Sequence, residues 1–263
     1  MSKTSFSNNK TKRGIESNYL QRLAENWPEP REQLHHGGWK TTKDLVKNME
    51  IKEKFQILDC CCGEGATACW IAKKYQNKGV SVSGFDILEQ AIRTAEKKAI
   101  EQGVNENTDF RVADIFNIPF NISSFDIIYG QDPDGLANYN RFLAFRELFR
   151  ILKPKGMLIF HLWIPFINYP KEDLMIFENT TIESGYPFMA RLSLKEFIED
   201  MKYAGFTSIE YEDMSKDYYE HVKKLKKKIE ANGNKLDVWY SMLYDSFKKG
   251  NKIGVKIKGF KVD

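Results

Sequence analysis

The sequence predicts an α/β protein: a doubly wound, mostly parallel sheet with helices on both faces. Three observations carry that prediction. Short apolar runs alternate with amphipathic helical stretches from about Gln56 to Phe160, the pattern of successive βαβ units. One run, Ile57-Leu58-Asp59-Cys60, enters a turn bearing Gly63 and Gly65 and then a small-residue helix, the local form of a nucleotide-binding corner. The next strand, Val80-Ser81-Val82-Ser83-Gly84-Phe85, ends in Asp86, at the spacing from the turn where an acidic side chain takes a ribose diol.

Composition bounds the rest. At 263 residues, 42% hydrophobic and 29% charged, the chain can bury the core of one large α/β domain with appendages. No apolar run approaches the roughly 20 residues a bilayer crossing needs, and the stretch Met1 to Lys10 is polar, so the expected address is the cytoplasm. A net charge of +4 is mild for a nucleic-acid binder. The basic run Lys223-Lys224-Leu225-Lys226-Lys227-Lys228 is interleaved with Tyr218, Val222, Leu225 and Ile229 at helical spacing, which reads as the solvated face of an amphipathic helix rather than an RNA patch. Cys60, Cys61, Cys62 and Cys69 share one segment, so they cannot tie distant parts of the chain together. They also lack the second ligand pair of a structural zinc site, and are expected to be packing residues with no metal.

In chain order, Met1 to about Gly14 reads as a disordered polar tail. Glu16 to Asn26 is a short amphipathic segment on Tyr19, Leu20 and Leu23, broken by Trp27-Pro28-Glu29-Pro30. Residues 1–55 are thus a tail and a helical cap. The loop Leu34-His35-His36-Gly37-Gly38-Trp39 has two readings, an active-site wall or a surface turn anchored by Trp39. Thr41 or Thr42 is expected to cap the helix that follows, through Val46. Beyond the glycine turn, Ala66, Ala68, Ile71 and Ala72 form a face that packs closely on a sheet. A helix from about Glu89 to Gln102 stops at Gly103. Phe110 to Asp114 is a third strand and Phe125 to Gly130 a fourth, with Gln131-Asp132-Pro133-Asp134 at its carboxyl end.

Phe142, Phe145, Phe149 and Leu152 mark the next helix, Leu152-Lys153-Pro154-Lys155-Gly156 a turn, and Met157 to Leu162 the fifth strand. An irregular aromatic stretch at about 164–190, with Pro165, Pro170, Gly185 and Pro187, reads as a lid over the substrate. Ser193-x-x-Glu196 is a capping box opening a helix that stops at Gly205. Phe206 to Asp213 gives the sixth strand. After two further helical stretches, Ile253, Val255 and Ile257 alternate with Lys256 and Lys258, a half-exposed last strand.

Asp59, Gly63 and Gly65 resemble motif I of the class I S-adenosylmethionine-dependent methyltransferases, an acidic residue followed by G-x-G-x-G. Cys61 stands at the first glycine, a small residue past which the loop can admit the methionine moiety provided Cys61 keeps a negative φ. Ala113-Asp114-Ile115 resembles the family's adenine-binding position, and Leu152 to Gly156 its "LKPGG" turn. The resemblance implies strand order 3-2-1-4-5-7-6 in a seven-stranded sheet, with the seventh strand antiparallel, on a domain of residues 56–263. It also implies S-adenosylmethionine as cofactor, bound by Asp59, Cys61, Gly63, Gly65, Asp86, Ile87, Asp114, Ile115 and Gln131, with Asp86 on the ribose hydroxyls and Asp114 on the adenine amino group.

Methyl transfer from a sulfonium is an in-line displacement, so alignment can suffice, with a base added when the acceptor must lose a proton. Ligands of open α/β sheets bind at the strands' carboxyl ends. His161, His36 and Asp132 are therefore the candidate catalytic residues, with His161 the best single candidate for a base because imidazole titrates near neutrality; the rival reading of a histidine in an apolar strand is a hydrogen-bonded core residue. The expected acceptor is a small molecule methylated on N, O or C. Gln131-Asp132-Pro133-Asp134 does not match the Asn-Pro-Pro-Tyr motif of amino-directed nucleic-acid methyltransferases. The rival readings are an RNA or protein methyltransferase docking through the lysine-rich helix, and a non-catalytic binding protein on the same fold.

Overall fold

The computed structural model describes residues 35–133, 136, 140–165, 193–231, 238–250 and 252–263. The polar tail, the Glu16 to Asn26 segment, Leu34 and nearly all of the 164–190 stretch lie outside these residues. In chain order the elements are α1 (Gly38–Asn48), β1 (Gln56–Cys60), α2 (Ala66–Lys74), β2 (Ser81–Asp86), α3 (Glu89–Gln102), β3 (Thr108–Val112), β4 (Phe125–Gln131), α4 (Arg141–Ile151), β5 (Leu152–Pro165), α5 (Leu194–Ala204), β6 (Thr207–Asp213), α6 (Ser215–Ala231), α7 (Val238–Lys248) and β7 (Lys252–Phe260).

The strands form one seven-stranded sheet in the order β3-β2-β1-β4-β5-β7-β6. Pairing is parallel from β3 through β5, and β7 runs antiparallel to both β5 and β6. Central strands covered on both faces need apolar residues at every position rather than alternately, and Ile57, Leu58, Ile127, Ile128, Leu158 and Ile159 supply them. One face buries Leu58, Ile128, Leu158 and Phe160 against Phe145 and Leu148 of α4 and Phe197 and Met201 of α5. The other buries Ile57, Val82, Ile127 and Ile159 against Leu45 and Val46 of α1 and the small residues Ala68, Ala72 and Ala95 of α2 and α3.

Four local expectations are corrected. Gly37, at φ 103, precedes α1 as its cap, so Thr41 and Thr42 lie inside the helix, where their hydroxyls donate back to the Gly38 carbonyl. β3 begins at Thr108 and ends at Val112, which leaves Asp114 in a turn beyond the strand, bridged to Asn117. β5 begins at Leu152, and the expected turn survives within it as a left-handed Lys155 (φ 63), whose N–H donates to the Lys261 carbonyl. β7 is not half-exposed, because it is an interior strand. Lys256 is buried there, with Nζ 2.7 Å from Asp44 and 2.8 Å from Glu212. Burial alone would lower the Lys256 pKa; the two carboxylates outweigh it and raise it.

The lysine-rich helix follows its pattern: on α6, Tyr218, Val222, Leu225 and Ile229 are buried while Lys224, Lys227 and Lys228 are exposed. No helix among the described residues is long and apolar enough to cross a membrane.

Candidate active site

The first half of the site is made of backbone. β1 delivers the chain to Cys61, and the turn to α2 places Cys61, Gly63 and Gly65 at φ 57, 51 and 69. Glycine suits this left-handed region and L-residues resist it by about 1–2 kcal/mol. The condition of a negative φ at Cys61 is therefore not met: the backbone keeps the conformation a glycine would adopt. At Gly65 space is short as well, since an added Cβ would lie 2.7 Å from the Cβ of Ala95. The Cys62 N–H donates to the Phe85 carbonyl at 2.9 Å, tying the turn to the end of β2.

Asp86 ends β2 beside this turn, and its carboxylate accepts from the Gly63 N–H at 2.9 Å and the Leu88 N–H at 3.0 Å. Burial raises its pKa, an effect these backbone N–H groups partly offset. Ile87 is 47% exposed beside it. Asp114 is exposed, with Oδ1 accepting from the Phe116 N–H, and Ile115 is buried in the core. Asp59 faces inward: it is 4% exposed and its Oδ2 accepts from the Tyr129 hydroxyl at 2.6 Å across the β1–β4 pair. Burial pushes its pKa up to about 8, so the carboxyl is protonated at neutral pH. The glycine turn with an acid at the next strand end fits S-adenosylmethionine.

The second half is made of side chains. The chain has four histidines, and all four gather at the carboxyl ends of β4 and β5. Asp132 sits there in a left-handed backbone conformation, φ 50, fixed by its N–H donating to the His161 carbonyl at 2.8 Å. Its Oδ2 accepts from the His36 N–H at 2.7 Å and from His36 Nδ1 at 2.9 Å, and its Oδ1 from the Tyr218 hydroxyl at 3.0 Å. Burial works to raise the Asp132 pKa, yet the His36 contacts prevail and the net shift is down. Asp132 is accordingly an ionised, buried carboxylate with three donors.

Next to it, His35 Nδ1 donates to the His36 carbonyl, so His35 Nε2 is the acceptor for the Gln131 amide at 3.0 Å. Gln131 also donates to Thr42 at 3.0 Å and accepts from Thr67 at 2.8 Å. Burial lowers the His35 pKa to about 4, which keeps it neutral. His221 behaves alike: burial, with His36 and His35 nearby, lowers it to about 4, and its ring packs on Gly38.

His161 is fully buried, and its Nε2 lies 3.6 Å from Asp44 Oδ2, an ion-pair separation too long for a hydrogen bond. The His161 imidazole and Lys256 hold the Asp44 pKa well below the usual carboxylate range. Trp39 packs edge-on against Trp70 of α2 with ring centroids 5.4 Å apart.

The structure thus brings His36 and Asp132 together and places His161 behind them, under α1. Sequence reasoning missed Tyr218, His221, Thr42 and Thr67. Tyr218 had a signal, since it belongs to the buried stripe of α6 and Gly254 of β7 leaves it room: a Cβ there would come 2.6 Å from its ring.

Residues 57–156 match the model of a family described as a methyltransferase domain. The chain is 29% identical over 199 residues to phosphoethanolamine N-methyltransferase 1 of Arabidopsis thaliana, covering 76% of this chain and 38% of that protein. It is 31% identical over 183 residues to the ubiquinone/menaquinone biosynthesis C-methyltransferase of Rickettsia bellii, covering 60% of this chain and 71% of that protein. A phosphoethanolamine N-methyltransferase 2 of Haemonchus contortus, solved with phosphomonomethylethanolamine and S-adenosylhomocysteine, shares the fold at a TM-score of 0.73 and 18% identity, over 95% of this chain and 58% of that one. The chain spans only 38–54% of the length of several curated relatives it matches. From the sheet order, the glycine turn with its partner acid and these likenesses, the chain belongs to the class I S-adenosylmethionine-dependent methyltransferases.

Proposed function

We propose that this domain transfers the methyl group of S-adenosylmethionine to a small-molecule N, O or C acceptor, with His36 as general base and Asp132 as the residue that positions it. The observation that carries this reading is the 2.9 Å contact between His36 Nδ1 and the buried Asp132 carboxylate. It commits Nδ1, so His36 takes a proton through Nε2. A nearby anion also stabilises the imidazolium that forms.

Bound in the glycine turn, S-adenosylmethionine supplies an electrophilic methyl group. The chain's own contribution is to hold Gly63, Gly65 and Asp86 against the cofactor and Gln131 between the two halves of the site. It also keeps His35 and His221 neutral, so they do not compete with His36 for the anion. Relatives named as a phosphoethanolamine N-methyltransferase and a C-methyltransferase of ubiquinone/menaquinone biosynthesis support a small acceptor. The test is transfer of labelled methyl to a panel of small amines, hydroxyl compounds and quinols, run beside tRNA and bulk protein. Small-molecule products that disappear in His36→Ala are expected; labelling confined to tRNA or protein overturns the reading.

A further inference from the structure

The cysteine triplet at the start of the glycine turn has no part in the reading above. All four cysteines are free thiols, and they point to different places. Cys69 is buried where α2 meets α3, near the Ala95 carbonyl. Cys62 turns toward Gly84 and Phe110, on the α2 and α3 face. Cys60 and Cys61 both turn to the opposite face, where their sulfurs are 4.0 Å apart. Cys60 is fully buried, whereas Cys61 is only half-buried and so admits a small reagent.

We propose that Cys60 and Cys61 form an oxidisable thiol pair, and that closing it into a disulfide between adjacent residues removes cofactor binding. The inference rests on the assignment of the glycine turn as the cofactor site. With a peroxide as oxidant, the Cys61 thiol is oxidised to a sulfenic acid while the peroxide is reduced to an alcohol or water. The Cys60 sulfur then attacks the Cys61 sulfur, the S–S bond forms, and water leaves with the Cys60 proton. Cys61 is the more exposed of the two, so it is where the oxidant acts first. The small ring closed by this bond includes the peptide between the two residues. That peptide leads into Cys61 at φ 57 and fixes where Gly63 meets Asp86. Reshaping it displaces the glycine Cα atoms of the turn and the Gly63 N–H that holds the Asp86 carboxylate.

The probe is diamide, a diazene that becomes a hydrazine as two thiols become a disulfide, and the readout is titration calorimetry with S-adenosylhomocysteine. Reduced protein binds; diamide-treated protein is expected to bind at least about tenfold more weakly, to regain affinity in dithiothreitol, and to yield a peptide with Cys60 and Cys61 linked to each other. Cys60→Ala is expected to bind in the reduced state and to keep its affinity after diamide, and Cys69→Ala to respond like the parent. No linked peptide, a linked peptide with unchanged affinity, or loss of affinity that persists in Cys60→Ala would each overturn the proposal. Failure of the reduced protein to bind S-adenosylhomocysteine would instead count against the cofactor site itself.

Discussion

At the end of β1 the proposed cofactor side is built from backbone: left-handed residues and glycine Cα atoms of one turn between Cys61 and Gly65, whose N–H groups tie it to the end of β2. At the end of β4 the chain offers imidazole, carboxylate, amide and phenol groups from a loop, two strand ends and two helices far apart in sequence; His36 and Asp132 are 96 residues apart, and Asp132 and Tyr218 are 86 apart. A backbone site is set by φ angles and survives many side-chain changes. A side-chain site depends on the whole fold closing correctly, and each of its members can be exchanged without disturbing the turn. The two halves should therefore fail in different ways.

The largest expected effect is on the backbone half. Gly63→Val places a β-branched residue at φ 51, where it is strongly disfavoured. S-adenosylhomocysteine binding by calorimetry should disappear while thermal unfolding stays cooperative. Normal binding would mean the turn does not meet the cofactor.

The side-chain half should lose rate rather than cofactor affinity. Asp132→Asn or His36→Ala should lower methyl transfer by about 10²- to 10⁴-fold, with S-adenosylhomocysteine affinity kept within a few-fold. The rate lost in Asp132→Asn should come with an altered pH profile, since that variant leaves the imidazole in place without its anion. Equal losses of rate and cofactor affinity would erase the distinction between the halves.

Asp86 tests the border of the backbone half, because it is a side chain that serves the turn. Removing charge-assisted hydrogen bonds worth roughly 1.5–3 kcal/mol, Asp86→Ala should weaken S-adenosylhomocysteine by about 10- to 100-fold. An unchanged dissociation constant in a folded variant would take Asp86 out of the site.

The halves should also respond oppositely to pH. Asp59, raised to about 8 in the folded chain, binds a proton that the unfolded chain has already lost. Its contribution to stability is full below about pH 4 and fades as pH rises through about 8. His35 and His221, lowered to about 4 from 6.5, do the reverse: their contribution is present above about pH 6.5 and is lost as pH falls through about 4. Denaturant midpoints across this range should show Asp59→Asn flattening only the alkaline side. A variant that flattens the acid side instead would refute the assignment.

Smallest of all is Cys61→Gly. Relief of a left-handed cysteine, about 1 kcal/mol, is nearly cancelled by the extra freedom glycine gains in the unfolded chain, roughly 0.5–1 kcal/mol. Stability by denaturation should move by less than about 1 kcal/mol.

This contrast also sets what could be read from the sequence. The glycine turn, Asp86 at the end of β2, the β-α alternation and the Ser193–Glu196 capping box are local, each written within a few residues of one another, and the structure contains them. The partnership of His36 with Asp132 is not local, so residue type could nominate both and still not pair them. The resemblance put the last strand between the fifth and sixth, as it is in the sheet, but how deeply β7 is buried was hidden. Its alternating Ile and Lys pattern looks half-exposed, and only Asp44 and Glu212, brought from elsewhere, make a buried Lys256 tolerable.

Gln131 belongs to both halves. Its oxygen is held by Thr67 at the start of α2, and its two amide hydrogens by His35 and by Thr42 of α1. An amide so used has a polarity as well as a position: one end can only accept and the other can only donate. Glutamate has the same shape, yet it would offer lone pairs to the lone pair of His35. A change of one atom at residue 131 thus turns a cross-tie into a repulsion between the N-terminal segment and the sheet, while every hydrophobic contact stays in place.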